Sequence, residues 1–284
     1  MSAAEEPAPE RGAAAREEVE VDVLLEAVYR CYGFDFRQYA RPSLRRRLWR
    51  RANLEGVATL SGLQERLLHD SSCMESLLLD LSINVTAMFR DPSFYRALRT
   101  TVVPLLRTYP FIRIWNAGCS TGEETHSLAI VLAEEGLLER TRIYATDINE
   151  SVLLRAKEGV FPLEQMQAYT ENYLAAGGTR AFSEYYTAGY EGARFDRSLT
   201  DGVVFSRHNL VSDGSFNEFH AIICRNVMIY FDAALQDRVH DLFHESLVRF
   251  GVLGLGQKES ITFTSHGDDY KVLDPRDRIF RKVR

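Results

Sequence analysis

The sequence predicts an α/β protein with a doubly wound parallel sheet, preceded by a small all-α domain. Residues 21–88 carry apolar positions at helical spacing, and no strand pattern occurs before about residue 111. From there β-rich apolar runs alternate with amphipathic helical runs, an alternation typical of parallel sheets. Residues 163–202, rich in Tyr, Gly and Thr, break this alternation and predict an insertion with short strands or loops.

Composition narrows the class of protein. The chain has 284 residues, of which 45% are hydrophobic and 26% charged, as in ordinary globular proteins. No apolar run approaches the roughly 20 residues that cross a bilayer. Four scattered cysteines without ligand spacing indicate reduced thiols and no metal site. The net charge of −6 gives no general attraction to nucleic acid. We expect a cytoplasmic monomer that neither binds nucleic acid nor inserts into membranes.

The N-terminal domain follows an acidic segment, 1–20, for which composition predicts a disordered tail. Its first helix, VDVLLEAVYRCYG, ends at Gly33, a predicted C-cap. The second begins at Pro42 within RQYARPSLRRRLWRR, a stretch with seven arginines and no acid. Two further helical runs, TLSGLQERLLHD and CMESLLLDLSINV, complete the domain. Residues 89–110 then form a linker.

The sheet domain, 111–284, opens with the strand FIRIWNAG, a glycine turn and the helix EETHSLAIVLAEEGLL. The strand RIYATDIN and the helix ESVLLRAKEGV follow. After the insertion come the strands GVVFSRHNL and FHAIICRNVMIYF, the long helix AALQDRVHDLFHESLVRFG, and two closing strands, VLGLG and DRIFRKV. Each pattern is an apolar run bounded by turn residues or an apolar stripe at helical spacing.

The glycine turn after the first strand carries two glutamates. Ligands of open α/β sheets bind at the carboxyl ends of strands, and Gly118 and Gly122 let a ligand approach the backbone. Glu123 and Glu124 would repel a phosphate and attract a cation, although acids in a first helical turn also favour the helix dipole without any ligand. Asp147, at the end of the second strand, could accept hydrogen bonds from two ribose hydroxyls.

A nucleoside with a cationic end and no phosphate fits this turn, and S-adenosylmethionine is such a molecule. NAD is the alternative, because its ribose also uses an acid at this position. The glycine spacing matches neither G-x-G-x-x-G nor G-x-x-x-x-G-K-[ST], and the two carboxylates disfavour a pyrophosphate.

Five segments in order carry the most specific signal: NVTAMFRDPSFY (84–95), IWNAGCSTGEE (114–124), YATDIN (144–149), RHNL (207–210) and CRNVMIYF (224–231). Together they resemble the CheR-type chemotaxis protein methyltransferases over roughly residues 21–284. The resemblance implies a class I S-adenosylmethionine-dependent methyltransferase fold, a Rossmann-like doubly wound sheet with a small all-α N-terminal domain and a small inserted β-subdomain. It also implies methylation of chemoreceptor glutamates, with glutamyl methyl esters and S-adenosylhomocysteine as products, in sensory adaptation.

The resemblance further implies roles for individual residues. The linker motif includes Arg90, which would pair with the methionine carboxylate of the cofactor, while Glu124 would pair with its ammonium group. Arg225 and Tyr230 would lie near the transferring methyl as catalytic residues. The full set of implied cofactor-binding residues is Asn84, Thr86, Arg90, Gly118, Glu124, Asp147, Asn209, Leu210, Arg225 and Asn226. Thr125 and His126 replace the proline and tyrosine common in the family, and we expect little effect on the chemistry.

The arginine-rich helix fits a glutamate-rich partner. Arg45, Arg46 and Arg50 are the predicted docking residues for the cytoplasmic methylation helices of chemoreceptors. The alternatives are a solvated face with intramolecular salt bridges, or a nucleic-acid or membrane surface, which the net acidity disfavours. Whether the inserted subdomain tethers to a receptor's C-terminal peptide stays open.

The implied reaction needs no general base, because a free glutamate titrates near 4.3 and is ionised near pH 7. Arg225 or Tyr230 would orient the incoming carboxylate, so the protein's main task is alignment. A methyltransferase of the same fold with another acceptor and a non-catalytic cofactor-binding scaffold remain the competing interpretations.

Overall fold

Four helices form the N-terminal part of the chain in the computed structural model, which describes residues 8–81, 86–262 and 264–284. They are α1 (Ala8–Tyr32), α2 (Arg41–Leu54), α3 (Leu60–His69) and α4 (Ser71–Leu81). Thr59 caps α3 by accepting a hydrogen bond from the Gly62 N–H at 3.0 Å. The apolar stripes of all four helices meet in one core, which includes Leu24, Leu48, Leu63 and Leu77.

Helix α1 begins at Ala8, inside the acidic segment 1–20 for which the composition predicted a disordered tail. Glu17 accepts hydrogen bonds from the Arg45 guanidinium at 3.0 Å and from the Trp49 indole at 2.7 Å. Alanines and glutamates are also strong helix formers. Contacts with α2, which composition cannot show, therefore extend the helix into the predicted tail.

The segment Tyr230–Leu235, late in the chain, belongs to this helical unit. An isolated antiparallel bridge pairs Tyr39 with Phe231, and their ring centroids lie 5.0 Å apart. The Ala40 N–H donates to the Tyr230 carbonyl at 2.8 Å. The helical unit is thus completed by residues almost 150 positions beyond α4.

The second unit contains a seven-stranded sheet and a three-stranded sheet. The strands are β1 (Ile112–Ala117), β2 (Thr141–Asp147), β3 (Val160–Phe161), β4 (Tyr186–Gly189), β5 (Gly192–Phe195), β6 (Val203–Arg207), β7 (Phe219–Cys224), β8 (Leu247–Leu255), β9 (Tyr270–Asp274) and β10 (Ile279–Lys282). The large sheet has the order β6-β2-β1-β7-β8-β10-β9. Its first five strands are parallel, which confirms the predicted sheet, while β10 runs antiparallel to both β8 and β9.

Helices connect these strands. They are α5 (Pro92–Ala97), α6 (Val103–Leu106), α7 (Glu123–Glu134), α8 (Glu150–Glu158), α9 (Met166–Ala175) and α10 (Ala233–Ser246), with a π-helical segment at Leu98–Val102. The predicted linker 89–110 is therefore largely helical. Helix α10 ends earlier than its sequence pattern suggested, because the apolar run from Leu247 pairs with β7 as β8.

The insertion starts slightly before its predicted range of 163–202. Its small sheet has the order β3-β5-β4, and β3 begins at Val160. Phe161 and Phe195 pack edge to face, 5.4 Å apart. An aromatic core therefore holds this subdomain together.

Glu134, at the end of α7, ties that helix to the insertion. Its side chain is 1% exposed and accepts hydrogen bonds from the Tyr173 and Tyr185 hydroxyls at 2.5 and 3.0 Å. It also accepts from the Thr179 N–H at 3.0 Å and pairs with Arg99. Residues from four separate segments thus converge on one buried carboxylate.

Candidate functional site

The glycine turn after β1 folds back on the end of β2. The N–H groups of Gly118 and Cys119 both donate to the Thr146 carbonyl, at 2.8 and 2.9 Å. Gly118 and Gly122 have φ angles of 74° and 95°, a region that favours glycine. A Cβ on Gly118 would lie 2.4 Å from the Val227 side chain. The turn therefore needs glycine at 118 for its conformation and for close contact with the chain after β7.

Asp147 ends β2 beside this turn. Its carboxylate accepts hydrogen bonds from the N–H groups of Ser120 and Asn149, both at 3.0 Å, and its side chain is buried. Burial raises the pKa of Asp147, and these backbone hydrogen bonds oppose that effect. Two hydroxyl donors from a ligand would further stabilise the ionised form. The position and chemistry of Asp147 fit a ribose diol.

Glu124, in the first turn of α7, faces Arg225 at the end of β7. One Glu124 oxygen accepts from Arg225 Nη1 at 2.8 Å and the other from Asn116 Nδ2 at 2.8 Å. Arg225 Nη2 donates to Asp91 at 2.8 Å. Two carboxylates thus surround one guanidinium whose side chain is only 1% exposed. The excess of negative charge favours a ligand with a cationic group.

Arg225 is fixed from several sides. Its Nη2 also donates to the Arg90 carbonyl at 3.1 Å, and its guanidinium lies 4.2 Å from the Phe94 ring centroid. Burial alone would lower the pKa of Arg225, but the charge of Glu124 and its neighbours holds it raised. Its Nε has no hydrogen-bond partner within the described residues. An acceptor atom of a ligand would satisfy this donor.

Glu123, the neighbouring acid, has a different environment. It accepts a hydrogen bond from the Thr121 hydroxyl at 2.6 Å and is buried. Burial raises the pKa of Glu123, although the Thr121 hydrogen bond opposes the shift. The sequence presented Glu123 and Glu124 as a pair, whereas in the structure only Glu124 faces Arg225.

Asn209 and Leu210 follow β6 in a tight turn. The Asn209 side-chain oxygen accepts from the Val211 N–H at 3.0 Å, and the backbone N–H of Asn209 donates to the Asp213 carboxylate at 2.9 Å. Leu210 is half-buried. The Asn209 side chain therefore shapes the turn itself, so its predicted place beside the adenine rests on the family resemblance.

Glu259 was missed by the sequence reasoning. It is buried and accepts hydrogen bonds from the N–H groups of Asn226, Val227 and Met228 at 3.0, 2.9 and 2.8 Å, and from that of Gly256 at 2.6 Å. Asn226 has a φ of 61°. One carboxylate thus holds the turn after β7. The available signal was an acid three residues beyond the strand pattern VLGLG.

The remaining predicted site residues fall in different places. Asn84 lies outside the described residues, and Thr86 is half-buried near the start of the second described range. Tyr230 belongs to the helical unit, where Cζ of Arg47 lies 4.7 Å from its ring centroid. Arg47 itself is buried and donates to the Leu81 carbonyl at 2.6 Å.

The arginines of α2 and the residues before it divide into two groups. Arg45, a predicted docking residue, is bound to Glu17. The intramolecular ion pairs that the sequence allowed are also formed by Arg37, Arg41 and Arg51. Arg46 and Arg50 are exposed and four residues apart, and neither has an ion pair in the part of the chain that the structure describes. They form the free basic face of α2.

Comparisons with known proteins match nearly the whole chain. Residues 84–277 match the family model described as CheR methyltransferase, SAM binding domain, and residues 20–82 match CheR methyltransferase, all-alpha domain. The match confirms S-adenosylmethionine as the cofactor expected from Glu124 and Asp147. Within the described residues, no helix has the length and apolarity needed to cross a membrane.

Curated relatives span similar lengths. The chain is 51% identical over 265 residues to a Pseudomonas putida protein named Cher3 and labelled provisionally a methyltransferase, covering 93% of this chain and 97% of that one. It is 30% identical to the chemotaxis protein methyltransferase of Listeria innocua, and the match covers 86% of this chain and 92% of that protein. It is 32% identical to chemotaxis protein methyltransferase 2 of Pseudomonas aeruginosa, covering 86% and 87%.

Proposed function

Because this chain belongs to the CheR methyltransferase family, we propose that it methylates glutamate side chains of chemoreceptors, giving glutamyl methyl esters and S-adenosylhomocysteine. The observation that carries the proposal is the buried arrangement of Glu124 and Asp91 around Arg225 at the carboxyl ends of the strands. This negative pocket suits a cationic nucleoside and disfavours a phosphate.

Four groups bind and orient the cofactor in this proposal. Asp147 accepts hydrogen bonds from the ribose, and Glu124 accepts from the amino group of the methionine end. Arg90 pairs with the methionine carboxylate. Gly118 allows the close approach, since any Cβ there would meet Val227. When bound, the cofactor supplies an electrophilic methyl group on a sulfonium centre.

Alignment is the chemical contribution of the chain. The acceptor glutamate is ionised near neutral pH, so no residue needs to remove a proton from it. Arg225 holds Glu124 in place by donating a hydrogen bond to it, and Tyr230 orients the incoming carboxylate. Glu259 holds the backbone between these two residues by accepting from Asn226 and Met228. The residues act by holding reacting groups in line.

The acceptor side rests on the free basic face of α2. Arg46 and Arg50 lie one helical turn apart and are exposed, so they present two positive charges to a partner. A helix carrying methylatable glutamates presents complementary charge. This complementarity favours chemoreceptor methylation helices over neutral or basic acceptors.

The first test is calorimetric binding of S-adenosylhomocysteine, with NADH as the control ligand. We expect micromolar binding of the first and none of the second. The second step is methyl transfer from labelled S-adenosylmethionine to purified receptor cytoplasmic fragments, with a fragment whose methylation-site glutamates are changed to alanine as control. Binding without transfer would point to another acceptor, and folded protein that fails to bind would overturn the site assignment.

A further inference from the structure

A cluster of histidines and aspartates lies between the second half of α10 and the segment before β9. His244, His266 and Asp269 each offer one ligand atom, and these atoms lie within 4.8 Å of one another. Strands β8 and β9 begin beside the cluster. Because β8 is parallel to β7, the end of the sheet at which β8 begins is opposite the end at which Asp147 and Arg225 lie. The cluster is therefore separate from the methyltransferase site.

The spacing within the cluster approaches that of metal ligands. His266 Nδ1 lies 3.0 Å from Asp269 Oδ2. Two ligands at about 2.0–2.2 Å from one Zn²⁺ are themselves roughly 3–3.5 Å apart. The His244 ring stacks on the His266 ring, with centroids 4.0 Å apart and planes 6° from parallel. The two rings lie face to face, so the His244 ring must turn out of this stack for its nitrogen and His266 Nδ1 to bind one ion.

His244 also has an unsatisfied nitrogen. Its Nδ1 is enclosed by protein and has no hydrogen-bond partner within the described ranges. A metal ion would provide the partner that the protein does not.

The surroundings of His266 resemble the outer shell of a metal site. Its Nε2 lies 2.9 Å from an Asp241 carboxylate oxygen, which also accepts from the Ser265 hydroxyl at 3.1 Å. Ser265 is fixed in turn by Asp237, which accepts from its N–H at 2.8 Å. Metal-binding histidines commonly donate their second N–H to such a carboxylate. Asp241 would thus orient Nδ1 toward the ion.

The local charge favours a cation. Asp237, Asp241 and Asp269 surround the cluster, and the nearest lysine, Lys282, donates to the carbonyls of His244 and Leu247 at 2.6 and 3.0 Å. That ammonium group is therefore occupied by backbone acceptors. The charge of Arg284 also acts on Asp269. Three carboxylates against these two cations still leave the cluster negative before any ion binds.

We propose that His244, His266 and Asp269 bind one divalent transition-metal ion, with Zn²⁺ as the first candidate. Two imidazoles and one carboxylate form a common donor set for zinc, with a water in the fourth position. Ca²⁺ and Mg²⁺ prefer oxygen ligands and fit less well. The bound ion would link α10 to the start of β9. The cysteine spacing gave no hint of a metal site, because this one uses none of the cysteines.

The test uses full-length protein without an affinity tag, stripped of metal by a chelator and then dialysed. Calorimetric titration with ZnCl₂ should give one ion per chain and raise the melting temperature. His266→Asn and Asp269→Asn should each weaken zinc binding about tenfold or more. His69→Asn, an exposed histidine on α3, serves as the matched control and should bind zinc like the wild type.

The metal-free melting temperature of each variant shows whether it folds. A folded His266→Asn or Asp269→Asn protein with wild-type zinc affinity would overturn the proposal. Absence of stoichiometric binding by the wild type would do the same. Co²⁺ gives an independent readout, because a bound tetrahedral ion would produce a visible absorption band that the two site variants lack and the His69→Asn control retains.

Discussion

Arg225 illustrates how much of the site depends on one side chain. A buried arginine loses hydration, and a buried ion pair is favourable only when its hydrogen bonds are well satisfied. Here Glu124, Asp91 and the Arg90 carbonyl all accept from it. The guanidinium therefore joins the end of β7 to the first turn of α7 and to the segment before α5. Its one positive charge is outnumbered by the two carboxylates, and the remaining negative charge suits a cationic ligand.

Loss of the Tyr230 hydroxyl should affect methyl transfer but not cofactor binding. Tyr230→Phe should lower turnover by at least about tenfold, because the hydroxyl no longer orients the acceptor carboxylate, while the Kd for S-adenosylhomocysteine stays within about twofold. Single-turnover kinetics and calorimetry measure the two quantities.

The matched control is Tyr29→Phe. Tyr29 also lies in the helical unit with an arginine over its ring, Cζ of Arg37 being 3.9 Å from the centroid. The substitution Tyr29→Phe should leave turnover unchanged. Equal turnover in Tyr230→Phe and wild type, or a large loss of cofactor affinity, would contradict the assigned role.

At the level of elements, α2 combines two functions on different faces. Leu44 and Leu48, four residues apart in the sequence, are both buried in the helical core. Arg41 and Arg45 are bound to acids of α1. The exposed pair Arg46 and Arg50 forms no ion pair within the described residues, so these two arginines make up the free basic face.

Charge reversal tests this face. Arg46→Glu with Arg50→Glu should raise the KM for a receptor fragment roughly tenfold and weaken its salt dependence, because complementary charge is lost. Cofactor affinity should stay the same.

Arg155→Glu with Lys157→Glu makes the same charge change on α8, where both side chains are exposed. An equal rise in KM for both double variants would show a general charge effect and remove the docking role of α2.

The sequence predicted best those features that depend on neighbours along the chain. The glycine turn, Asp147 at a strand end and the stripe of α2 are local patterns, and the structure has each of them in its expected element. Glu259 and the His244–His266 pair were missed because three of the four partners of Glu259, and the ring partner of His244, lie 20 or more residues away. The helical start at Ala8 was missed for the same reason, since its ion pairs reach α2. Hydrogen bonding across the fold leaves no periodic signal.

At the scale of the whole molecule, stability should depend on acid through Glu134. Burial alone would raise its pKa, but the hydrogen bonds from Tyr173, Thr179 and Arg99 lower it from 4.5 to about 2. A carboxyl with a depressed folded-state pKa stabilises the fold above its unfolded pKa, and this stability is lost as pH falls toward the folded value.

The wild type should therefore lose stability between about pH 5 and pH 2. Glu134→Gln should lower the free energy of unfolding at pH 7 by about 2 kcal/mol or more. Its free energy of unfolding should also fall less steeply than that of the wild type as the pH is lowered. Glu171→Gln, which alters an exposed glutamate of α9, is the control. Chemical denaturation across pH measures all three, and parallel acid limbs for the wild type and Glu134→Gln would contradict this role.

The return of Tyr230–Leu235 to the helical unit has an evolutionary consequence. Two separate family models match the chain, one ending at residue 82 and the other beginning at residue 84. The first compact unit, however, also includes the later segment Tyr230–Leu235. Recombination that exchanged only the N-terminal domain between relatives would place Phe231 against whatever residue the other relative has at position 39. Such an exchange would therefore test whether the segment Tyr230–Leu235 has to match the domain that it completes.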